Sequence, residues 1–134
     1  MAFTGKIYEF EKEENFGAFV DSLGMPPERA EFYKNFRPVH KVEKNGDVYT
    51  LTAQCPTETV SVSFKIGEEF DESLSASVAR SKFTLDGNTL NQEQKFDNGC
   101  VINYKREYLG DKLKTTLTNS KWNGSAVRYY KLKA

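Results

Sequence analysis

The sequence predicts a mainly β chain, folded as an antiparallel up-and-down barrel of about ten strands. Three observations carry that expectation. Turn signals recur roughly every 8–12 residues, the spacing of short strands joined by hairpins. Rings are abundant, with ten Phe and seven Tyr, while mean hydropathy is low at −0.64. Strands with one wet face and one ring-lined face have this balance. Helical periodicity, finally, is confined to one short region near the N-terminus. Closing the sheet into a barrel also removes exposed edges.

Taken in order, residues 6–14 alternate in part and read as a first strand. The period then changes: Phe16, Phe19, Val20 and Leu23 fall at i, i+3, i+4 and i+7, an amphipathic helix with Asn15 as its expected N-cap. Gly24 stops it, and Pro26-Pro27 opens a second short helix over residues 27–35, with Phe32, Tyr33 and Phe36 near one face. Everything beyond Arg37 reads as strand and turn. Asn45-Gly46 accepts the positive φ of a tight hairpin turn and separates residues 39–44 from 48–54. Further strands are expected at 59–66, 69–72, 78–85, 89–96, 100–109, 112–119 and 126–133, with turns at Asp86-Gly87-Asn88, Asp97-Asn98-Gly99 and Gly110-Asp111.

No linker, repeat or low-complexity run divides the 134 residues, so residues 1–134 are expected to form one domain. Lys and Arg balance Asp and Glu at 19 each, which argues against nucleic-acid binding by charge. The opening residues lack an apolar signal core and no run approaches transmembrane length, so a soluble cytoplasmic protein is expected. Cys55 and Cys100 are expected to be free thiols in a reducing compartment.

Strand faces expose an odd pair of charges. Side chains alternate across a strand, so Ala126, Arg128, Tyr130 and Leu132 share one face while Lys131 and Lys133 share the other. The lysine face belongs in water, which leaves Arg128 and Tyr130 inward. On the strand at 100–109, Arg106 shares its face with Cys100, Ile102, Tyr104 and Tyr108. Arginine cannot shed its proton, so burial costs several kcal/mol unless it is paired. Either each guanidinium reaches a rim or a buried acid, or the two line a hydrated cavity and await an anion. A carboxylate suits the second reading, because guanidinium binds one bidentately and a phenol adds a hydrogen bond. Other inward positions are apolar or small: Tyr49, Leu51 and Ala53; Val60, Val62, Phe64 and Ile66; Phe83 and Leu85; Leu113 and Leu117. An apolar cavity with a few convergent polar groups is a small-molecule site, here one for an amphiphile with a long tail.

These residues resemble the intracellular fatty-acid-binding proteins, the invertebrate members especially. The resemblance spans essentially the whole chain. It rests on the stretch from Phe64 to Glu72, the stretch from Glu43 to Asp47, Arg106-Glu107 and the terminal Arg128-x-Tyr130. It implies a ten-stranded barrel (a β-clam) with a helix–turn–helix lid between the first two strands. It also implies reversible carriage of long-chain fatty acids without catalysis, cofactor or metal, by a cytoplasmic monomer. By the same resemblance Arg106, Arg128 and Tyr130 hold the ligand carboxylate, and Phe16 lines the cavity. The expected lining is Phe16, His40, Tyr49, Leu51, Ala53, Val60, Val62, Tyr104 and Leu117. The portal is expected around residues 28–36, 55–58 and 73–77, with Phe32, Tyr33, Thr57 and Ala76 at its edge.

Some positions depart from the family pattern. Ile7 stands where a tryptophan is usual, Thr57 lies near a usual gating phenylalanine, and His40 occupies a position that commonly carries a small hydroxyl. An Asp-x-Arg pair is missing from Ser75-Ala76-Ser77. Trp122, in a longer final hairpin, is expected over a barrel end. A retinoic-acid carrier would use the same Arg/Arg/Tyr trap. An enzyme acting on acyl substrates is the remote alternative: His40 is the single histidine, and no nucleophile, acid or metal-ligand spacing surrounds it. Lys6, Arg29 and Lys34 could bring the lid to anionic membranes in transient contact.

Overall fold

A computed structural model describes residues 3–74 and 77–133. Among the described residues, ten strands run β1 (Ile7–Glu14), β2 (Val39–Asn45), β3 (Val48–Cys55), β4 (Glu58–Phe64), β5 (Phe70–Leu74), β6 (Ser77–Asp86), β7 (Thr89–Lys95), β8 (Val101–Leu109), β9 (Lys112–Asn119) and β10 (Ala126–Leu132). Two helices, α1 (Phe16–Ser22) and α2 (Pro27–Lys34), lie between β1 and β2. Consecutive strands pair antiparallel except β4 and β5, and β1 closes on β10, giving the order β4-β3-β2-β1-β10-β9-β8-β7-β6-β5. The expected architecture stands, with boundaries shifted by a residue or two.

The barrel is nearly closed, since β4 and β5 end the sheet order on opposite sides. Rings bridge the gap that the ladder leaves. Phe64 on β4 stacks on Phe83 of β6 with centroids 3.6 Å apart, and Tyr49 and Phe70 extend the stack at 5.6 and 6.1 Å. With Phe3, Tyr8, Leu90, Tyr108 and Leu113 these rings form a packed floor. Phe3 lies flat on Tyr108 at 4.0 Å. Gly46, at φ 67, takes the left-handed conformation that the β2–β3 hairpin needs.

The lid rests on a second apolar cluster. Phe16, Phe19 and Val20 of α1 pack against Cys100, Ile102, Leu117 and Ala126. Trp122, from the β9–β10 hairpin, faces Phe19 at 6.1 Å, so it covers the lid end of the barrel as expected. Gly124 is needed beneath it, because a Cβ there would meet the indole at 2.5 Å. Asn15 does precede α1 but does not cap it with its side chain. Its backbone is left-handed at φ 59, and its amide instead donates to the Ser125 carbonyl at 3.3 Å, tying the lid to the final hairpin.

One inward assignment needs correction, and one inward residue was not expected. Ile66 lies beyond the end of β4 and is exposed, so alternation does not govern it. Glu13, near the end of β1, turns inward. The β1–β10 register shifts between Phe10 and Lys12. An extra residue in one strand reverses which face later side chains take, so Tyr8 and Phe10 point in before the bulge and Glu13 does after it.

Candidate ligand-binding site

A cavity of about 930 Å³ lies between the ring floor and the lid, near the upper end of the roughly 300–1,000 Å³ usual for small-molecule sites. Its wall is largely apolar: Phe16, Val20, Leu23, Met25, Tyr33, Leu51, Ala53, Val60, Val62, Phe96, Ile102 and Leu117. Arg106, Arg128, Tyr130, His40, Thr115, Glu72, Gln92 and Gln94 bring polar groups into it.

The strand registers set those groups in a row. Arg106 on β8 pairs with Thr115 on β9, Thr115 pairs with Arg128 on β10, and Arg128 pairs with Glu13 on β1. Neighbouring strands lie about 4.8 Å apart, so the two arginine backbones are separated by roughly twice that, with Thr115 between. Both guanidinium groups are buried. Among the described residues, Arg106 Nε and Nη1, Arg128 Nη2 and Thr115 Oγ1 are buried without a hydrogen-bond partner. Four unpartnered polar atoms in one row make an anion cradle.

The two arginines differ in how they are compensated. Arg128 Nε donates to Glu13 Oε2 at 3.1 Å, and its guanidinium lies 4.0 Å from the Phe16 ring centroid and 4.8 Å from Phe10. Arg106 lies over Tyr104 at 5.0 Å and Phe83 at 6.0 Å. Cation–π contact of this kind recovers only part of the desolvation cost. Burial therefore pulls the Arg106 pKa down, against the opposing fields of Tyr108, Tyr104, Tyr130 and Glu72. It remains protonated.

His40 is partly exposed, but onto the cavity. Its ring sits 4.6 Å from Tyr130, and Nδ1 is buried without a partner among the described residues. Burial, and then the charges of Arg106 and Arg128, lower its pKa to about 3. It is a neutral cavity group. Burial raises Tyr130, opposed by Arg128 and Arg106, and pushes Tyr104 and Tyr108 up to about 12. All three remain neutral phenols able to donate a hydrogen bond.

The structure thus brings together Arg106, Arg128 and Tyr130, and it places Phe16, His40, Leu51, Ala53, Val60, Val62, Tyr104 and Leu117 on the cavity wall. Tyr49 is a correction. It does not line the cavity but lies in the floor, stacked on Phe64 and beneath the Lys44 ammonium at 5.6 Å. Tyr33 lines the cavity. Phe32 is exposed on α2 and pairs with Tyr33 and Phe36 at 5.6 and 5.7 Å. Thr57 sits in the β3–β4 turn with its hydroxyl 3.4 Å from Cys55 Sγ, and neither Phe32 nor Thr57 is among the lining residues. Ala76 lies outside the described residues. Cys55 and Cys100 are free thiols.

Polar groups such as Glu72, Gln92, Gln94 and Thr115 on the cavity wall were not expected from the sequence. Glu72 Oε1 accepts from Ser81 Oγ at 2.8 Å and from Gln92 Nε2 and Gln94 Nε2 at 3.0 Å each. The alternation set by Leu90 would have found both glutamines, and that set by Leu113 and Leu117 would have found Thr115. Glu13, beyond the bulge, is set inward by no regular period.

Comparison with known proteins agrees with this fold. The profile of the lipocalin / cytosolic fatty-acid binding protein family matches residues 1–114. Fatty acid-binding protein 2 of Manduca sexta is 40% identical over 132 residues, 98% of this chain and 99% of that one. The fatty acid-binding protein from brain tissue of Drosophila melanogaster superposes with a TM-score of 0.88 at 39% identity, covering 96% of this chain and 98% of the other. A Schistosoma mansoni fatty acid binding protein in complex with arachidonic acid gives 0.89 at 28% identity, over 99% and 97%. The barrel and its lid are those of a known lineage, and the chain belongs to the lipocalin / cytosolic fatty-acid-binding protein family.

Proposed function

We propose that this protein reversibly binds long-chain fatty acids and carries them through the cytoplasm as a monomer, without catalysis. The observation that carries the reading is the buried Arg106, whose Nε and Nη1 face an apolar cavity with no partner among the described residues. A buried cation left unpaired is costly, and a ligand carboxylate would satisfy it. The acyl tail would lie along Phe16, Leu51, Val62 and Leu117, burying methylenes at about 0.8 kcal/mol each. Tyr130 would orient the head group and Arg128 would add its free Nη2. Relatives named as fatty acid-binding proteins support the ligand class. His40, neutral and beside Tyr130, serves as a polar liner rather than as a base.

Calorimetric titration of delipidated protein with oleate tests the reading. One oleate is expected to bind each chain, and Arg106→Gln is expected to weaken binding more than tenfold, since a charge-assisted pair to a buried group contributes about 1.5–3 kcal/mol. Absence of oleate binding by the unmodified protein would overturn the reading. Tighter binding of retinoic acid than of oleate would reassign the ligand to a rigid polyene acid.

A further inference from the structure

We propose that Glu13 is a resident carboxylate that occupies Arg128 and competes with the ligand's own carboxylate, so that it sets the affinity and leaves Arg106 as the ligand's first charged contact. The inference rests on the reading that the cavity takes an amphiphilic anion.

Three features carry it. The β1 bulge delivers Glu13 to the inner face directly opposite Arg128 in the β1–β10 register. A bulge that aims one acid at one buried arginine is a specific device. Secondly, the pairing is one-sided. Glu13 takes Nε at 3.1 Å while Nη2 of the same guanidinium stays buried and unpartnered among the described residues. Arg128 is therefore compensated but not saturated. Thirdly, Glu13 has a second partner outside: its Oε1 lies 3.4 Å from Arg37 Nη2, in the segment between α2 and β2. One carboxylate thus spans the cavity arginine and an arginine at the root of the lid, and the Phe10 ring lies under both guanidinium groups, at 4.8 and 5.4 Å.

The electrostatic consequence follows from signs alone. An anion entering the cavity meets Arg106 bare, and it meets Arg128 with a negative charge already against it. Repulsion between Glu13 and the incoming carboxylate weakens binding, and in a poorly screened interior that effect is large. An uncharged head group feels none of it. Arg37, pulling on the other oxygen, weakens Glu13's hold on Arg128.

The test uses full-length delipidated protein and three probes: oleate, oleyl alcohol and the anionic dye 1-anilinonaphthalene-8-sulfonate. Glu13→Gln is expected to tighten oleate and the dye by roughly tenfold while leaving oleyl alcohol within about twofold, since only charged ligands sense the removed charge. A purely structural role would instead shift oleate and oleyl alcohol alike, and would overturn the proposal. Arg37→Gln, at an exposed position, is expected to move oleate the other way, weakening it several-fold by handing Glu13 to Arg128. It provides the readout if Glu13→Gln does not fold. Unchanged oleate affinity in both variants overturns the competition while leaving fatty-acid binding intact. Dye tightening without any oleate binding removes fatty acid as the ligand and keeps the competition. Binding of neither charged probe removes both.

Discussion

Arg106 and His40 show how one cavity holds opposite demands on charge. Arg106 keeps its proton against a ring wall because arginine has no accessible neutral form. Histidine does have one, and His40 takes it. Its pKa falls from the ordinary 6.5 to about 3 through burial and the neighbouring arginines. The unfolded chain's imidazole takes up a proton below about pH 6.5, whereas the folded one does not until about pH 3, so the folded state loses stability as pH falls through that window. Thermal unfolding followed from pH 7 to pH 4 should show this decline, and His40→Gln should flatten it. Equal slopes for the two proteins would mean that His40 is charged in the folded state. The groups facing it are Tyr130, Arg106 and Arg128.

Elements meet in the polar knot beneath the lid. Asn119, at the end of β9, donates from Nδ2 to the Ser22 carbonyl at 3.3 Å and its hydroxyl at 3.1 Å. Its Oδ1 accepts from Cys100 Sγ at 2.8 Å and from the Lys121 backbone at 3.1 Å. One buried amide on β9 therefore fastens α1 to Cys100, just ahead of β8, and to the last hairpin. Asn119→Ala should cost about 1–3 kcal/mol, because buried partners lose their hydrogen bonds. It should also speed ligand exchange, as stopped-flow displacement would register. A stability loss with unchanged exchange would mean that α1 does not gate the cavity. The α2 segment is held more lightly: its side chains are not fully buried, and Lys34 bonds to Asp21 of α1 at 2.8 Å on the surface.

Across the whole molecule the discontinuity between β4 and β5 is the weak seam, and the ring stack offsets it. Phe83 is fully buried, lies between Phe64 and Phe70, and also faces Arg106 at 6.0 Å. Phe83→Ala should lower the unfolding free energy by about 3–5 kcal/mol. Denaturant titration would measure that loss, and hydrogen exchange should show β4 and β5 opening before the remaining strands. A loss spread evenly over all strands would mean that the stack has no special part at the seam. The neighbouring Glu72, bonded to Ser81, Gln92 and Gln94, ties β5 to β6 and β7 on the cavity side.

What the sequence determined by itself was whatever obeys a regular period. Alternation put Arg106, Arg128 and Tyr130 on one side of their strands, and the i, i+3, i+4 spacing of Phe16, Phe19 and Val20 located the first lid helix. Turn chemistry at Asn45-Gly46 and Asp86-Gly87 marked the hairpins. Tertiary structure alone decided what depends on strands far apart in the chain, or on a break in period. The register of β8, β9, β10 and β1 lined up Arg106, Thr115, Arg128 and Glu13. The bulge after Phe10 turned Glu13 inward, and close packing with Phe64 sent Tyr49 to the floor instead of the cavity. A side chain's face is a local property of its strand, but its partner is a property of the closed barrel. The compensation of a buried charge is therefore read only once the barrel has closed.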